Sequence, residues 1–282
     1  MNFEKELEAT LSRHLKNTPA ALAESVRYSL LAPGKRIRPR LVLATSRLLG
    51  LAPDKALPSA IALEMVHCFT LIHDDLPCMD DDDFRRGRPS NHKAFGEGMA
   101  LLAGDGLLAL AFDVFSETAA QDVPVAAFAR ALQRLAWASG PRGVIGGQAA
   151  EAALSDSSSL VDLRAMHRGK TGALFKAAIL IPMDLAGISE TTAEGQLLCA
   201  FADAIGLAFQ AADDLEDATQ DTRTQERDPT SILSYLTPEK VREAGQAPLK
   251  LATAQIQERW PDQSKELCKI TQEVLSLLMG PQ

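Results

Sequence analysis

Apolar residues recur along most of this chain at the three- and four-residue spacing of an amphipathic helix. Phe3, Leu7, Leu11 and Leu15 form such a stripe at the start, which predicts an opening helix with one buried face. Segments around 55–76, 97–118, 123–138, 158–182 and 192–220 keep helical apolar spacing with few internal breakers, and period-two alternation is nearly absent. Breaks fall at Pro33-Gly34, Ala52-Pro53, Gly87 to Pro89, Gly140-Pro141 and Gly146-Gly147. Each is short, and none has the character of an interdomain linker. Ser155 to Ser159 reads as an exposed loop; no internal repeat or low-complexity tract occurs. The pattern predicts an all-α fold, a single helical domain over residues 1–282.

Two acidic clusters interrupt this apolar pattern. The first runs His73-Asp74-Asp75-Leu76-Pro77-Cys78-Met79-Asp80 and continues through Asp83; the second is Asp213-Asp214-Leu215-Glu216-Asp217. Apolar helical sequence leads into both (65–72 and 200–209), which sets them apart from an ordinary solvated acidic face. On a helix, Asp213 and Asp214 share a face with Asp217. Bare carboxylates at that spacing repel, so a counter-ion is expected. Oxygen-only ligands suit hard cations, and Mg²⁺ keeps waters and shares its shell with substrate phosphates. In the first cluster Pro77 should end or kink the helix just after Asp75, letting Asp80 curl back toward Asp74. The spacing of a calcium EF-hand loop is missing.

Composition narrows the partners. Hydrophobic residues are 46% and charged residues 23%, as in a globular protein able to bury a core. No run of about 18 uncharged apolar residues occurs, so no transmembrane segment is expected; the acid-bearing start lacks the apolar region of a signal peptide. Cys68, Cys78, Cys199 and Cys268 are scattered, which suits a reducing cytoplasm and argues against a cysteine zinc site. A net charge of −8 with no basic tract disfavours nucleic acid. An acidic chain can still bind an anion where metal ions or clustered Arg and Lys reverse the sign locally. Gly34-Lys35-Arg36-Ile37-Arg38-Pro39-Arg40 and Phe84-Arg85-Arg86-Gly87-Arg88-Pro89 supply such clusters, with guanidinium forks matched to phosphate oxygens. Arg168-Gly169-Lys170-Thr171-Gly172 adds another cation and a hydroxyl but does not satisfy the P-loop pattern.

Taken together, GKRIRP at 34–39, HCFTLIHDDLPCMDDDDFRRGRPSNHKAFGE at 67–97, LLAGDGLL at 101–108, GGQ at 146–148, GKTGALF at 169–175 and FQAADDLED at 209–217 resemble the trans-prenyltransferases, in their bacterial farnesyl diphosphate synthase branch. The resemblance spans most of residues 30–220. It implies helices around a deep central cavity, usually in a homodimer, and a Mg²⁺-dependent condensation of isopentenyl diphosphate with dimethylallyl or geranyl diphosphate. Asp74, Asp80 and Asp213 would hold Mg²⁺, with Asp217 completing the second set and Asp75 and Asp214 in support. Arg85 and Lys170 would face the allylic diphosphate. Lys35, Arg38, His67 and Arg86 would hold isopentenyl diphosphate, and Thr171 and Gln210 would line the reacting centre.

Such a reaction ionises an allylic C–O bond, so metal and fixed cations must neutralise the departing pyrophosphate. An apolar cavity keeps the allyl cation from water. No side-chain nucleophile is required. Phe69 and Thr70, about one turn before Asp74, would set product length. A bulky aromatic at Phe69 resembles the fifteen-carbon synthases, which favours a farnesyl product over geranylgeranyl. A non-catalytic regulatory subunit would tend to lose one aspartate motif, and both are intact; a class I terpene cyclase would not need the second diphosphate site. The chain departs from the family after Asp217, where Arg223 and Arg227 precede any lysine, and at Glu216 and Glu151.

Overall fold

A computed structural model describes residues 2–220 and 228–280. In chain order the helices are α1 (Phe3–His14), α2 (Ala20–Leu30), α3 (Ile37–Leu48), α4 (Pro53–Asp74), α5 (Asn91–Phe95), α6 (Glu97–Ser116), α7 (Val125–Ser139), α8 (Val144–Ala152), α9 (Leu160–His167), α10 (Ala173–Leu185), α11 (Ala193–Gln220), α12 (Pro238–Arg259) and α13 (Lys265–Met279). Strands among the described residues amount to one antiparallel two-residue pair, β1 (Phe84–Arg85) with β2 (Arg88–Pro89). The chain is all-α, as the periodicity predicts.

The helices gather into two compact units, one of Met1–Pro39 and Asp54–Val123, the other of Arg40–Pro53 and Pro124–Gln282. In the first, α4 is apolar on nearly every side, with Ile61, Leu63, Met65 and Val66 at most 1% exposed, the mark of a helix surrounded by protein. Helices α2 and α5 pack on α6. A buried ion pair ties the entry to α3 into this unit: Arg36 donates to Glu64 at 2.6 Å, to Glu4 at 2.9 Å and to the carbonyls of Leu30 and Ala32 at 2.9 Å.

In the second unit α10 is the central element, buried along its length except at Lys176. It packs on α7 and α11, and α11 packs in turn on α12 and α13. Leu163, Met166, Ala212, Leu215, Val241 and Leu278 form one apolar cluster there. The predicted helical stretch 158–182 is resolved into α9, one π-helical turn at Arg168–Gly172, and α10. Ser159 caps α9 through a capping box with Asp162, which ends the Ser-rich loop where composition places it. Gly146-Gly147, read from sequence as a break, lies inside α8; both glycines there answer to close backbone approaches.

Among the described residues, three helical stretches are long and apolar enough to cross a membrane by length and composition: Pro53–Asp74, Glu97–Ala120 and Ala193–Asp217, with 78%, 39% and 56% of their most apolar windows buried inside the fold. Burial accounts for the apolar character of the first. The second leaves Leu101 and Leu102 about half exposed.

Candidate active site

The first aspartate motif is shaped by the end of α4. The helix stops at Asp74, one residue short of the predicted stop, because Pro77 cannot continue its hydrogen bonding. The chain then folds back, and the Asp80 amide donates to the Asp74 carbonyl at 2.8 Å. Asp80 thus returns to Asp74 as the proline suggests. Asp75 is turned inward and is 2% exposed. Burial pushes its carboxyl up, while the hydrogen bonds of Arg85 pull it down. Arg85 forks onto a pair of acids: Nε reaches Asp75 Oδ1 at 2.8 Å and Nη2 reaches Asp82 Oδ2 at 2.7 Å. Its guanidinium is therefore committed within the loop in this state, with Asp82 as a partner the motif does not announce.

The basic residues of the same unit fall into two groups. Arg36 is buried and structural. Lys35 is exposed and Arg38 half-buried. His67 on α4 lies among guanidinium groups: its imidazole is held well below the usual histidine range by burial first and then by Arg38, Arg86, Arg36 and Arg85. The Arg86 guanidinium lies so close to Gly34 that a Cβ there would stand 2.9 Å from Cζ. The structure thus gathers Arg38, His67 and Arg86 into one neighbourhood with the Gly34 turn. Phe69 is buried, its ring edge-on to His73 at 5.8 Å, and Thr70 donates to the His67 carbonyl at 2.8 Å.

Gly104 explains the LLAGDGLL segment. A Cβ there would lie 2.1 Å from His73 Nε2, so glycine is what lets the ring beside Asp74 seat against α6. The ring nitrogen in turn bonds the Leu101 carbonyl at 3.0 Å.

In the second unit, α11 carries Asp213, Asp214 and Asp217. Asp213 is half-buried, Asp217 exposed and Asp214 buried. Gln210 donates to Asp214 Oδ1 at 3.2 Å, while Asp214 Oδ2 is buried with no hydrogen-bond partner. Burial pushes the Asp214 carboxyl up to about 7, and repulsion from Asp213 and Asp217 adds to it against the Gln210 hydrogen bond. His167 Nδ1 stands 4.0 Å from Oδ2; burial holds that imidazole down at about 4.

GGQ and GKTG turn out to be one feature. A Cβ on Gly147 would sit 2.0 Å from the Lys170 amide nitrogen and 2.5 Å from its Cα, and one on Gly169 would meet Gly147 Cα at 2.9 Å. Backbone thus packs on backbone where α8 meets the π-helical turn, a kind of helix irregularity frequent at functional sites. Lys170 donates to Glu151 across this junction, so the sequence's departure at 151 preserves a carboxylate partner. Thr171 is half-buried on the same turn. Glu216 is exposed, so its charge does not enter the core. Arg223 and Arg227, where the chain departs from the family pattern, lie outside the described residues.

Both motifs offer carboxylate oxygen alone, the donor set hard divalent cations take. The orphaned Asp214 Oδ2 and the mutual repulsion on α11 are features a cation would relieve. These residues fit Mg²⁺.

A profile of the polyprenyl synthetase family matches residues 19–231. The chain belongs to that family. It is a prenyltransferase, a prenyl diphosphate synthase. Among relatives, it is 44% identical over 221 residues to the farnesyl diphosphate synthase of Geobacillus stearothermophilus, covering 77% of this chain and 74% of that one. It is also 44% identical over 209 residues to geranylgeranyl pyrophosphate synthase 11 of Arabidopsis thaliana, covering 73% of this chain and 58% of the plant protein. Among solved structures, an FPP/GFPP synthase from Zymomonas mobilis is similar, with TM-score 0.85, 35% identity and coverage of 97% and 96%. The matched region of this polyprenyl synthetase includes both aspartate motifs, GKRIRP, GGQ and GKTG.

Proposed function

We propose that the enzyme condenses isopentenyl diphosphate head-to-tail with dimethylallyl and then geranyl diphosphate, giving farnesyl diphosphate and pyrophosphate. The observation that carries the product length is Phe69, a bulky ring 4% exposed and five residues before Asp74 on α4. Geranylgeranyl diphosphate is the competing product, favoured by the equal identity to the plant synthase.

Asp74, Asp80, Asp213 and Asp217 would hold Mg²⁺, which when bound neutralises charge on the leaving pyrophosphate and raises its leaving ability. Lys170 and Arg85 bind the allylic diphosphate; their links to Glu151 and to Asp75 and Asp82 hold them extended and oriented until phosphate oxygens compete for the same donors. Lys35, Arg38, His67 and Arg86 bind isopentenyl diphosphate, with neutral His67 as a hydrogen-bond partner among fixed charges. Thr171 and Gln210 orient the reacting centre. Apolar walls exclude water from the allylic cation. The proton lost after coupling goes to the departing pyrophosphate, so no side-chain base is needed.

A second copy of the chain would cover Leu101 and Leu102 on α6, making a homodimer; light scattering on the purified protein tests this. Four free cysteines accord with a reducing, cytoplasmic setting. The deciding experiment is incubation with Mg²⁺, isopentenyl diphosphate and either dimethylallyl or geranyl diphosphate, followed by dephosphorylation and chain-length analysis. Fifteen-carbon alcohol from both allylic substrates, abolished by chelator, is expected. A twenty-carbon product overturns the farnesyl reading, and full turnover in chelator overturns the metal assignment.

A further inference from the structure

We propose that Asp81 and Asp83, on the loop after the first aspartate motif, and His92, in the first turn of α5, form a separate site for a divalent transition-metal ion. Their candidate ligand atoms, one from each side chain, all lie within 4.8 Å of one another. A bound ion about 2.0–2.2 Å from each ligand would draw them closer than this, which rotation of the two exposed carboxylates allows.

Histidine is what separates this cluster from an ordinary acidic patch. The His92 side chain belongs to a residue only 5% exposed, yet its Nε2 has no hydrogen-bond partner. Its other nitrogen, Nδ1, is bonded to Ser90 Oγ at 3.0 Å. With Nδ1 protonated and donating to Ser90 Oγ, Nε2 carries an unshared lone pair, the arrangement that ligating imidazoles adopt.

The two carboxylates are placed by backbone rather than by chance. Asp81 sits in the left-handed region at φ 53°, its amide donating to the Leu76 carbonyl at 3.2 Å, and the Asp83 carbonyl accepts from Ser90 at 2.9 Å. Beyond them the loop is anchored on α2, where Asn91 bonds Ser25 and Ser29 and the Tyr28 hydroxyl donates to the Pro89 carbonyl. Lys93 pairs with Asp83 Oδ1 at 2.6 Å, which leaves the second carboxylate oxygen for an ion.

One imidazole nitrogen with two carboxylates suits Zn²⁺, Mn²⁺, Co²⁺ or Ni²⁺ better than Mg²⁺, whereas Asp74 and Asp80 offer oxygen alone. Such an ion would clamp the loop that carries Asp80, Arg85 and Arg86.

Co²⁺ is the probe. Full-length protein, without diphosphates and with Mg²⁺ in excess to fill all-oxygen sites, is titrated with Co²⁺ while its visible d–d absorption is read. One equivalent should give the stronger band of a low-coordinate site with nitrogen. Asp81→Asn and His92→Gln should each weaken binding at least about tenfold, while Asp74→Asn leaves the band intact. Circular dichroism checks the fold; should His92→Gln not fold, Asp81→Asn, an exposed isosteric change, decides alone. No such band in the wild type, or a band that Asp81→Asn does not weaken, overturns the site.

Discussion

Replacing Phe69 by Ala should lengthen the product. Phe69 lies about 7.5 Å along the α4 axis from Asp74, from five residues at about 1.5 Å each. A chain growing from a diphosphate held near Asp74 would meet the ring within the span of a few prenyl units. Removing a buried phenyl costs about 3–5 kcal/mol of stability, partly for the cavity left behind. A further five-carbon unit filling that cavity would gain up to about 4 kcal/mol, at about 0.8 kcal/mol for each buried CH₂-sized group. If half of this, about 2 kcal/mol, is expressed in the transition state for one more addition, the partition between release and elongation shifts about 30-fold. The assay runs wild type, Phe69→Ala and Phe69→Leu with excess isopentenyl diphosphate, then separates the dephosphorylated products by length. Phe69→Ala should give mainly twenty-carbon or longer alcohols and a lower melting temperature; Phe69→Leu should fall between. A folded, active Phe69→Ala enzyme that still releases only fifteen-carbon product would refute the reasoning.

Other perturbations test the framework around the site. Gly147→Ala places a Cβ 2.0 Å from the Lys170 amide nitrogen, and backbone cannot rotate aside; a loss of about 1–3 kcal/mol and reduced turnover should appear in melting and steady-state assays. Arg36→Ala leaves Glu64 buried without its partner and should cost about 3–5 kcal/mol in denaturant titrations, with part recovered by adding Glu64→Gln. His67 predicts the direction of pH dependence. Its folded pKa is depressed, by burial and then by Arg38 and Arg86, so below the unfolded value near 6.5 the unfolded chain binds the extra proton. Stability should fall as pH drops below about 6.5, by at most about 1.4 kcal/mol per pH unit for this one group; a folded His67→Gln variant should have a shallower slope between pH 6.5 and 5.

How much of the fold and site is legible in the sequence depends on range along the chain. Helical periodicity locates α4, α6, α7 and α11 to within two residues because each buries a long apolar surface. The Asp74–Asp80 return is readable because Pro77 is a local signal. Arg36 and Lys35 are not separable on local grounds: adjacent cations look alike until Glu64, Glu4 and two carbonyls come round to one of them. Gly147 misleads for the same reason. Glycine marks a turn or a close approach, and only the fold reveals that Lys170's backbone arrives from 23 residues away. Glu151, in the sequence merely a departure from the family pattern, acquires meaning as the acceptor for Lys170. His92 carries no local signal at all.

The sign problem posed by an acidic chain that must grip diphosphates has a consequence for which cations can be removed. Of the basic residues around GKRIRP and the RRGR turn, Arg36 is committed to Glu64 and Glu4, Arg40 to Glu273 at 2.6 Å, and Arg88 to the Tyr28 ring at 4.0 Å. These neutralise the chain's own acids or pack on it, so they add little outward positive potential. Arg38 and Arg86 stand beside a histidine that their charge helps keep neutral. An imidazolium there would add binding charge but cost more to bury beside them. Under the proposed assignment, anion recognition in the first unit would rest on the guanidinium groups gathered about His67 rather than on net charge. A chain of charge −8 would then hold a diphosphate without a basic surface.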